Sequence, residues 1–279
     1  MKNVAYYNGA VGELTELSVP FCDRVCFFGD GVYDATYARN KKVFTLVEHV
    51  DRFFYSAHHV GIDPPLSKDD LLLLIRSLVT RCDERETLVY FQLTRGISVP
   101  RNHVFGGGKS NLWVTITPKT ITPREKVFSL CSYPDKRYSY CFVKTLNLLP
   151  NVLAASFAAE KGCDEAVFCD GNVVHECAHS NIHIVRDGTL ISPAAGEKVL
   201  GGIARSRLLA ACSKLGINVE ERYFTTDELL SADEVYVTSA GTLLSPCTLF
   251  DGNKVGGKGR ELTNALQDAL YGEFYAATN

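Results

Sequence analysis

Long apolar runs are missing from this sequence: although 46% of its 279 residues are hydrophobic, none of its stretches approaches the roughly 18 apolar residues of a membrane span. Its start, "MKNVAYYNGAVGELTE", reaches polar residues and glycines before an apolar run develops, unlike a secretory signal. An excess of charge is missing too. With 29 Lys and Arg against 32 Asp and Glu, the formal net charge is −3, which argues against both a nucleic-acid footprint and a polyacidic tail. Cysteine is plentiful at ten residues, yet no C-x-x-C pair occurs. Scattered thiols in mostly apolar settings fit a reducing cytosol better than a disulfide framework. Internal repeats and low-complexity segments are absent. The expectation is a cytoplasmic protein that binds neither membrane nor nucleic acid and has residues enough for one large or two ordinary domains.

Periodicity supplies the elements. "NVAYYNGAVGEL" reads as a strand and turn, and "YDATYARNKKVFTL" as a hairpin about Asn-Lys-Lys. In "LVEHVDRFFYSAHHV", Leu46, Val50, Phe53, Phe54 and Ala57 recur at helical spacing. A second helix is predicted from a Ser67 cap to Cys82, with Asp69 and Asp70 in its first turn. "TLVYFQLTRG" and "NLWVTITP" follow as strands. "KTITPRE", residues 119–125, has no apolar period and one proline, and is the expected linker between a domain of residues 1–118 and a larger one of residues 126–279. Beyond it, strands are expected at "EAVFC", "NVVHECA", "IHIVRDGTLIS" and "EVYVTS", with helices near 149–161, 203–215 and 260–275. In the first of these spans, 149–161, Leu149, Leu153 and Phe157 are expected to face the core. The fold class is α/β, two domains of mixed α+β character.

Several motifs carry candidate chemistry. In "VKTLNLLPNVLAA", Lys144 follows apolar Val143 and precedes a Leu-rich stretch, so it is either a snorkelling lysine at the core edge or an amine poised to form a bond. Glu176 points to the same strand face as Val174 and Ala178; its partner is a buried arginine or a protonated heterocyclic nitrogen. "LGGIARSR" places paired glycines before a helix start, where backbone N–H groups attract anions. "TSAGT" ends a strand with further donors, and "PRNH" packs a guanidinium and an imidazole into one turn. "GGGKS" imitates a phosphate-binding loop, but His103 stands where that motif needs glycine and a strand follows. His175, Cys177, His179 and His183 share a face at strand period; an ordinary strand face explains them better than zinc, and no metal is assigned.

The order of these features resembles the fold-type IV pyridoxal-phosphate enzymes, the class IV aminotransferase family. The likeness runs from "YYNG" and "DRVCFFGDGVYDATY" through "EHVDRFF" to "ADEVYVTS" and "CTLFDGNKVG". Within the family, "YFQLTRGISVPRNHVF" and "KTLNLLPNVLA" look most like the D-amino-acid aminotransferases, rather than the branched-chain aminotransferases or aminodeoxychorismate lyase. This resemblance implies a two-domain architecture with the active site between the domains, and pyridoxal 5'-phosphate as cofactor. It implies that Lys144 holds the cofactor covalently and shuttles the substrate's Cα proton, and that Glu176 keeps the pyridine nitrogen protonated. Arg52, Ile203, Ala204, Ser239 and Ala240 would surround the phosphate, and Arg137 would lie nearby. Tyr33, Arg101 and His103 would trap the substrate α-carboxylate, on a loop reaching in from the second subunit of a homodimer. The implied substrates are D-amino acids, such as D-alanine and D-glutamate, and 2-oxo acids.

The chain also departs from the pattern. Val25 follows Asp23 and Arg24 where glycine is usual; Cys177, Ala178 and His179 replace Gly-Ser-Ser; Ala204 replaces threonine, and Ala240 and Gly241 replace a Thr-Thr pair. Hydroxyls are lost while backbone donors remain, which predicts a retained but weaker-held cofactor. A catalytically idle relative is the further alternative.

Overall fold

Alternation in the first third of the chain builds one antiparallel sheet. Strands β1 (Val4–Tyr7), β2 (Ala10–Gly12), β3 (Gly31–Arg39), β4 (Lys42–Val43), β5 (Glu86–Thr94) and β6 (Asn111–Pro118) order as β2-β1-β6-β5-β3-β4. The β3–β4 turn falls at Asn40 and Lys41, both with positive φ, as a tight hairpin requires. Three helices join this sheet: α1 (Arg24–Phe28), α2 (Leu46–His59) and α3 (Lys68–Arg81). The first is too short to show a period, yet its Asp23 cap accepts from the Val25 N–H. Ser67 caps α3 through the Asp70 N–H, as predicted.

Register assigns the two faces of the sheet. Val32, Asp34 and Thr36 align with Leu93, Phe91 and Val89, and these with Leu112, Val114 and Ile116. This face is buried with Phe53, Leu71, Ile75 and Leu78 of the helices, and the Phe53 and Phe91 rings meet edge-on at 5.0 Å. The opposite face carries Tyr7, Tyr33, Tyr90, Gln92 and Trp113.

The computed structural model describes residues 1–279 and divides into two units. The first comprises residues 1–120, 143–147 and 276–279; the second, residues 121–142 and 148–275. The chain passes from one to the other within the "KTITPRE" segment, and it crosses again on either side of Lys144. Residues 143–147 extend the edge of β3: the Tyr33 N–H donates to the Lys144 carbonyl at 2.9 Å, and the Leu146 N–H to the Gly31 carbonyl at 3.0 Å.

In the second unit, β7 (Phe128–Pro134), β8 (Glu165–Asp170), β9 (Val173–Cys177), β10 (Asn181–Arg186), β11 (Thr189–Ser192), β12 (Asn218–Glu221), β13 (Phe224–Thr225), β14 (Glu234–Thr238), β15 (Ser245–Phe250) and β16 (Asn253–Lys254) form a mixed sheet. Its central path runs β11-β10-β14-β15-β7-β8-β9. Parallel β7–β8 and β15–β7 pairs are embedded among antiparallel ones. Helices α4 (Leu149–Glu160), α5 (Ile203–Leu215), α6 (Thr226–Ser231) and α7 (Arg260–Thr278) complete the list, and none of the helices is long and apolar enough to cross a membrane.

α4 corrects one expectation. Leu149 and Leu153 are exposed, while Ala154 and Ala158 are buried in a cluster with Cys131, Ala166 and Phe168, against which Phe157 packs. This helix is apolar on most sides, so spacing alone does not say which stripe turns inward; small residues allow the closer approach to the sheet. Gly162, at φ +70°, follows its end.

Candidate functional site

Lys144 belongs with the first unit. Its backbone is held by Ser56, whose Oγ accepts from the Lys144 N–H at 3.1 Å, and its ammonium lies 4.4 Å from the centre of the Tyr33 ring. The preceding Val143 is buried. The lysine thus has an aromatic face beneath it and no carboxylate in an ion pair with it, so its amine is not committed elsewhere.

Arg52 is anchored next to this segment. Its Nε and Nη2 donate to the two oxygens of Asp34, each at 2.8 Å, and His49 Nδ1 lies 2.7 Å from Asp34 Oδ1. Burial pushes the Asp34 carboxyl up, but the Arg52 charge and the bonds from His49 and Arg52 outweigh it and hold the group well below the carboxylate range. Burial also lowers His49, against the opposing pull of Asp34. Asp34 and His49 escaped sequence reasoning. Their signal was the i, i+3 spacing of His49 and Arg52 on one face of α2, opposite an acidic residue on an otherwise apolar strand face.

The "PRNH" turn is equally well braced. Arg24, itself buried, donates from Nη1 to the Asn102 carbonyl at 2.6 Å and from Nη2 to the His103 carbonyl at 3.0 Å. Its Nε pairs with Asp30 at 2.7 Å, and Asp30 also receives Arg95. The Phe28 ring is a shared wall: the guanidinium carbons of Arg24 and Arg101 lie 4.8 and 4.4 Å from its centre, and the His103 ring 5.1 Å. Arg101 and His103 are exposed and make no ion pair, so two cationic or proton-bearing groups are held in place without an anion.

The second unit holds the remaining residues. Glu176 is buried and accepts from Arg137, from Asn181 Nδ2 at 3.2 Å and from the Leu200 N–H at 3.0 Å. Arg137 also donates to Asp135 at 2.8 Å, and His175 Nδ1 lies 2.8 Å from the same carboxylate. Burial raises Asp135, but His175 and Arg137 overcome it and hold the carboxyl far below its usual range. Burial opposes the charge on Arg137 too, and its two carboxylate partners prevail. The buried-arginine reading of Glu176 is therefore realised.

Ile203 and Ala204 open α5, where first-turn N–H groups have no intrahelical acceptor. Gly202 caps the helix without a side chain, and a Cβ there would lie 1.9 Å from Asn181 Oδ1. Ser239 and Ala240 leave the end of β14 in a turn: the Ser239 carbonyl accepts from the Leu243 N–H at 2.8 Å, and its Oγ from the Thr242 N–H at 3.1 Å. Donor-rich backbone, bare of carboxylates, fits an oxyanion.

The four metal-like residues do not share one face. The chain turns between β9 and β10, so His175 pairs with Asp135, His179 with Glu165, and His183 is buried between Ser192 and Thr238; no group of three potential ligands converges. Burial, helped by the Arg205 charge, lowers His183 to about 3. The folded protein keeps it neutral where the unfolded chain takes up a proton, so stability is lost as pH falls from about 6.5 towards 3, by up to about 1.4 kcal/mol per unit. Urea titrations at several pH values are expected to show a shallower loss for His183→Gln than for the parent; identical slopes would remove His183 from the account.

Comparison with known proteins adds three findings. The model of the family "Amino-transferase class IV" matches residues 31–250. D-alanine aminotransferase of Listeria monocytogenes serotype 4b (strain F2365) is 36% identical over 276 residues, covering 97% of this chain and 96% of that protein; the Bacillus licheniformis enzyme is 34% identical, covering 98% and 97%. Among solved structures, Escherichia coli branched-chain amino acid aminotransferase superposes with a TM-score of 0.91 at 22% identity, over 100% of this chain and 97% of that one.

Proposed function

This chain belongs to the class IV aminotransferases, and on that premise we propose that it transfers the amino group of D-amino acids to 2-oxo acids. The observation that carries the reading is the braced pair Arg101 and His103, held on Phe28 and by Arg24 with no anion of their own. A guanidinium so fixed suits bidentate capture of an α-carboxylate. D-alanine aminotransferases at 32–36% identity support the same reading.

Pyridoxal 5'-phosphate, when bound, supplies the electron sink for a substrate carbanion. We assign its phosphate to Arg52, the start of α5 at Ile203 and Ala204, and the Ser239–Ala240 turn, with Glu176 facing the ring nitrogen. Glu176, anchored by Arg137 and Asn181, would hold the proton on that nitrogen. Lys144 carries the proton to and from the substrate Cα. Tyr33, Arg101 and His103 fix the α-carboxylate, and its placement decides which enantiomer turns its Cα–H towards Lys144. The division into residues 1–118 and 126–279, joined by 119–125, is part of the proposal.

A homodimer is part of the same proposal, and the surface of this loop supports it. Phe21, Val99 and Val104 are 80, 75 and 74% exposed on the surface around Arg101, and the Ser98 N–H to Cys22 carbonyl bond at 3.1 Å ties the two apolar segments together. Such a patch suits a protein partner, here a second copy whose site receives Arg101 and His103. Phe21→Asp is expected to shift sedimentation towards monomer and to reduce activity with it; an unchanged dimer would exclude this surface.

The deciding experiment is an enantiomer panel on the cofactor-loaded protein. D-alanine and D-glutamate should discharge the yellow absorbance in single half-reactions, and the L-forms should not. Discharge by L-amino acids alone would overturn the D-specific reading in favour of the branched-chain activity.

A further inference from the structure

On the open face of the first unit's sheet, two hydrogen-bond donors have no acceptor. Tyr33, Gln92 and Trp113 are direct partners across β3, β5 and β6, and neighbouring strands lie about 4.8 Å apart. Their side chains therefore form a row, beginning at the Tyr33 ring on which the Lys144 ammonium rests. Gln92 is only 6% exposed. Its Oε1 accepts from Tyr90 Oη at 2.6 Å, and Tyr90 stacks on Tyr33 with ring centres 5.5 Å apart. That bond fixes the amide, turning Nε2 away from Tyr90. Nε2 donates to no protein atom, yet it is not among the sealed, unpartnered atoms, so it faces accessible space. Trp113 Nε1, one strand further, is enclosed and has no acceptor. Leaving a buried donor unanswered costs about 1–3 kcal/mol, and folded interiors seldom keep such groups without a role.

We propose that Gln92, with Trp113 beside it, reads the substrate's side chain by donating to an oxygen on it: a distal carboxylate or carboxamide on a five-carbon amino or 2-oxo acid. This rests on the aminotransferase reading above. An apolar chain of equal length would leave the Gln92 N–H desolvated and unpaired, and that penalty is the source of the discrimination. One strand spacing separates Gln92 from Tyr33, a gap that a two-methylene side chain extending from the reacting carbon is suited to bridge.

Trp113 is the sole tryptophan, so its fluorescence reports occupancy of this row whether or not turnover occurs. The cofactor-loaded protein is titrated with 2-oxoglutarate, 2-oxoglutaramate and 2-oxopentanoate, which differ only at the distal group. Both oxygenated acids are expected to bind about tenfold or more tightly than 2-oxopentanoate, and Gln92→Leu to abolish that preference. Gln92→Met, unbranched and of similar length, covers the case in which the leucine variant fails to fold. Equal binding of the three acids by the parent, or a preference that survives in a folded Gln92 variant, would overturn the proposal. The enantiomer panel is scored separately: a protein inert to D-amino acids that still prefers the oxygenated acids would lose the functional reading and keep the subsite.

Discussion

Replacing Lys144 by alanine is expected to lower kcat by a factor on the order of 10⁴, since one group is assigned both the covalent hold on the cofactor and the proton transfer at Cα. The fold should survive the change. Lys144 is tied in by its backbone, through the Tyr33 N–H and Ser56 Oγ, and its side chain makes no ion pair that removal would leave broken. The melting temperature should therefore stay close to that of the parent while activity disappears. A second readout is independent of turnover: borohydride should fix pyridoxal phosphate to the parent at Lys144 and leave the variant's mass unchanged. Appreciable activity in Lys144→Ala would refute the role of the lysine and favour the idle-relative alternative.

The largest loss of stability is expected from Arg137→Met. This change removes the cation between Glu176 and Asp135, both buried, and breaking a buried ion pair from one side typically costs about 3–5 kcal/mol. A chain of this size should then melt roughly 10 °C lower. The pH dependence identifies the cause. In the parent, Asp135 has a depressed pKa, so its contribution is present above the unfolded carboxyl's value near 4 and is lost as pH falls. In the variant much of that depression is gone, so the gap between the two proteins should narrow in acid. Urea unfolding at pH 7 and pH 3 checks both points. A deficit that stays constant across this range would point to packing on Phe168, whose ring centre lies 4.1 Å from the guanidinium, as the origin instead.

The helices with clear apolar periods were legible in sequence. α2 and α3 begin and end within a residue or two of the expected positions, because amphipathic spacing and a serine cap are local signals. β7 was missed, because "FSLCSYP" lies buried between parallel neighbours and shows little alternation. α1 and α6 are too short to show a period. At the site, the family resemblance supplied the residues proposed to react, but not what holds them. Asp34, His49, Arg24 and Asp135 act through partners distant in sequence, and no spacing rule links Arg24 to the carbonyls of Asn102 and His103. Conversely, the strand-period reading of His175 to His183 failed because it ran through a turn.

The short 143–147 segment has a consequence for how the chain acquires its structure. The bond between Thr145 and Gly31 spans 114 positions, and residues 121–142 of the second unit intervene. A fragment ending at Thr120 would leave the edge of β3 bare at Gly31 and Tyr33, so the first unit cannot finish folding as it leaves the ribosome. It must wait for more than twenty further residues to be synthesised, and closing so large a loop makes this a late, non-local step. Lys144 is thus set in place only after this late closure, and chains truncated at Thr120 should be prone to aggregate along that open edge.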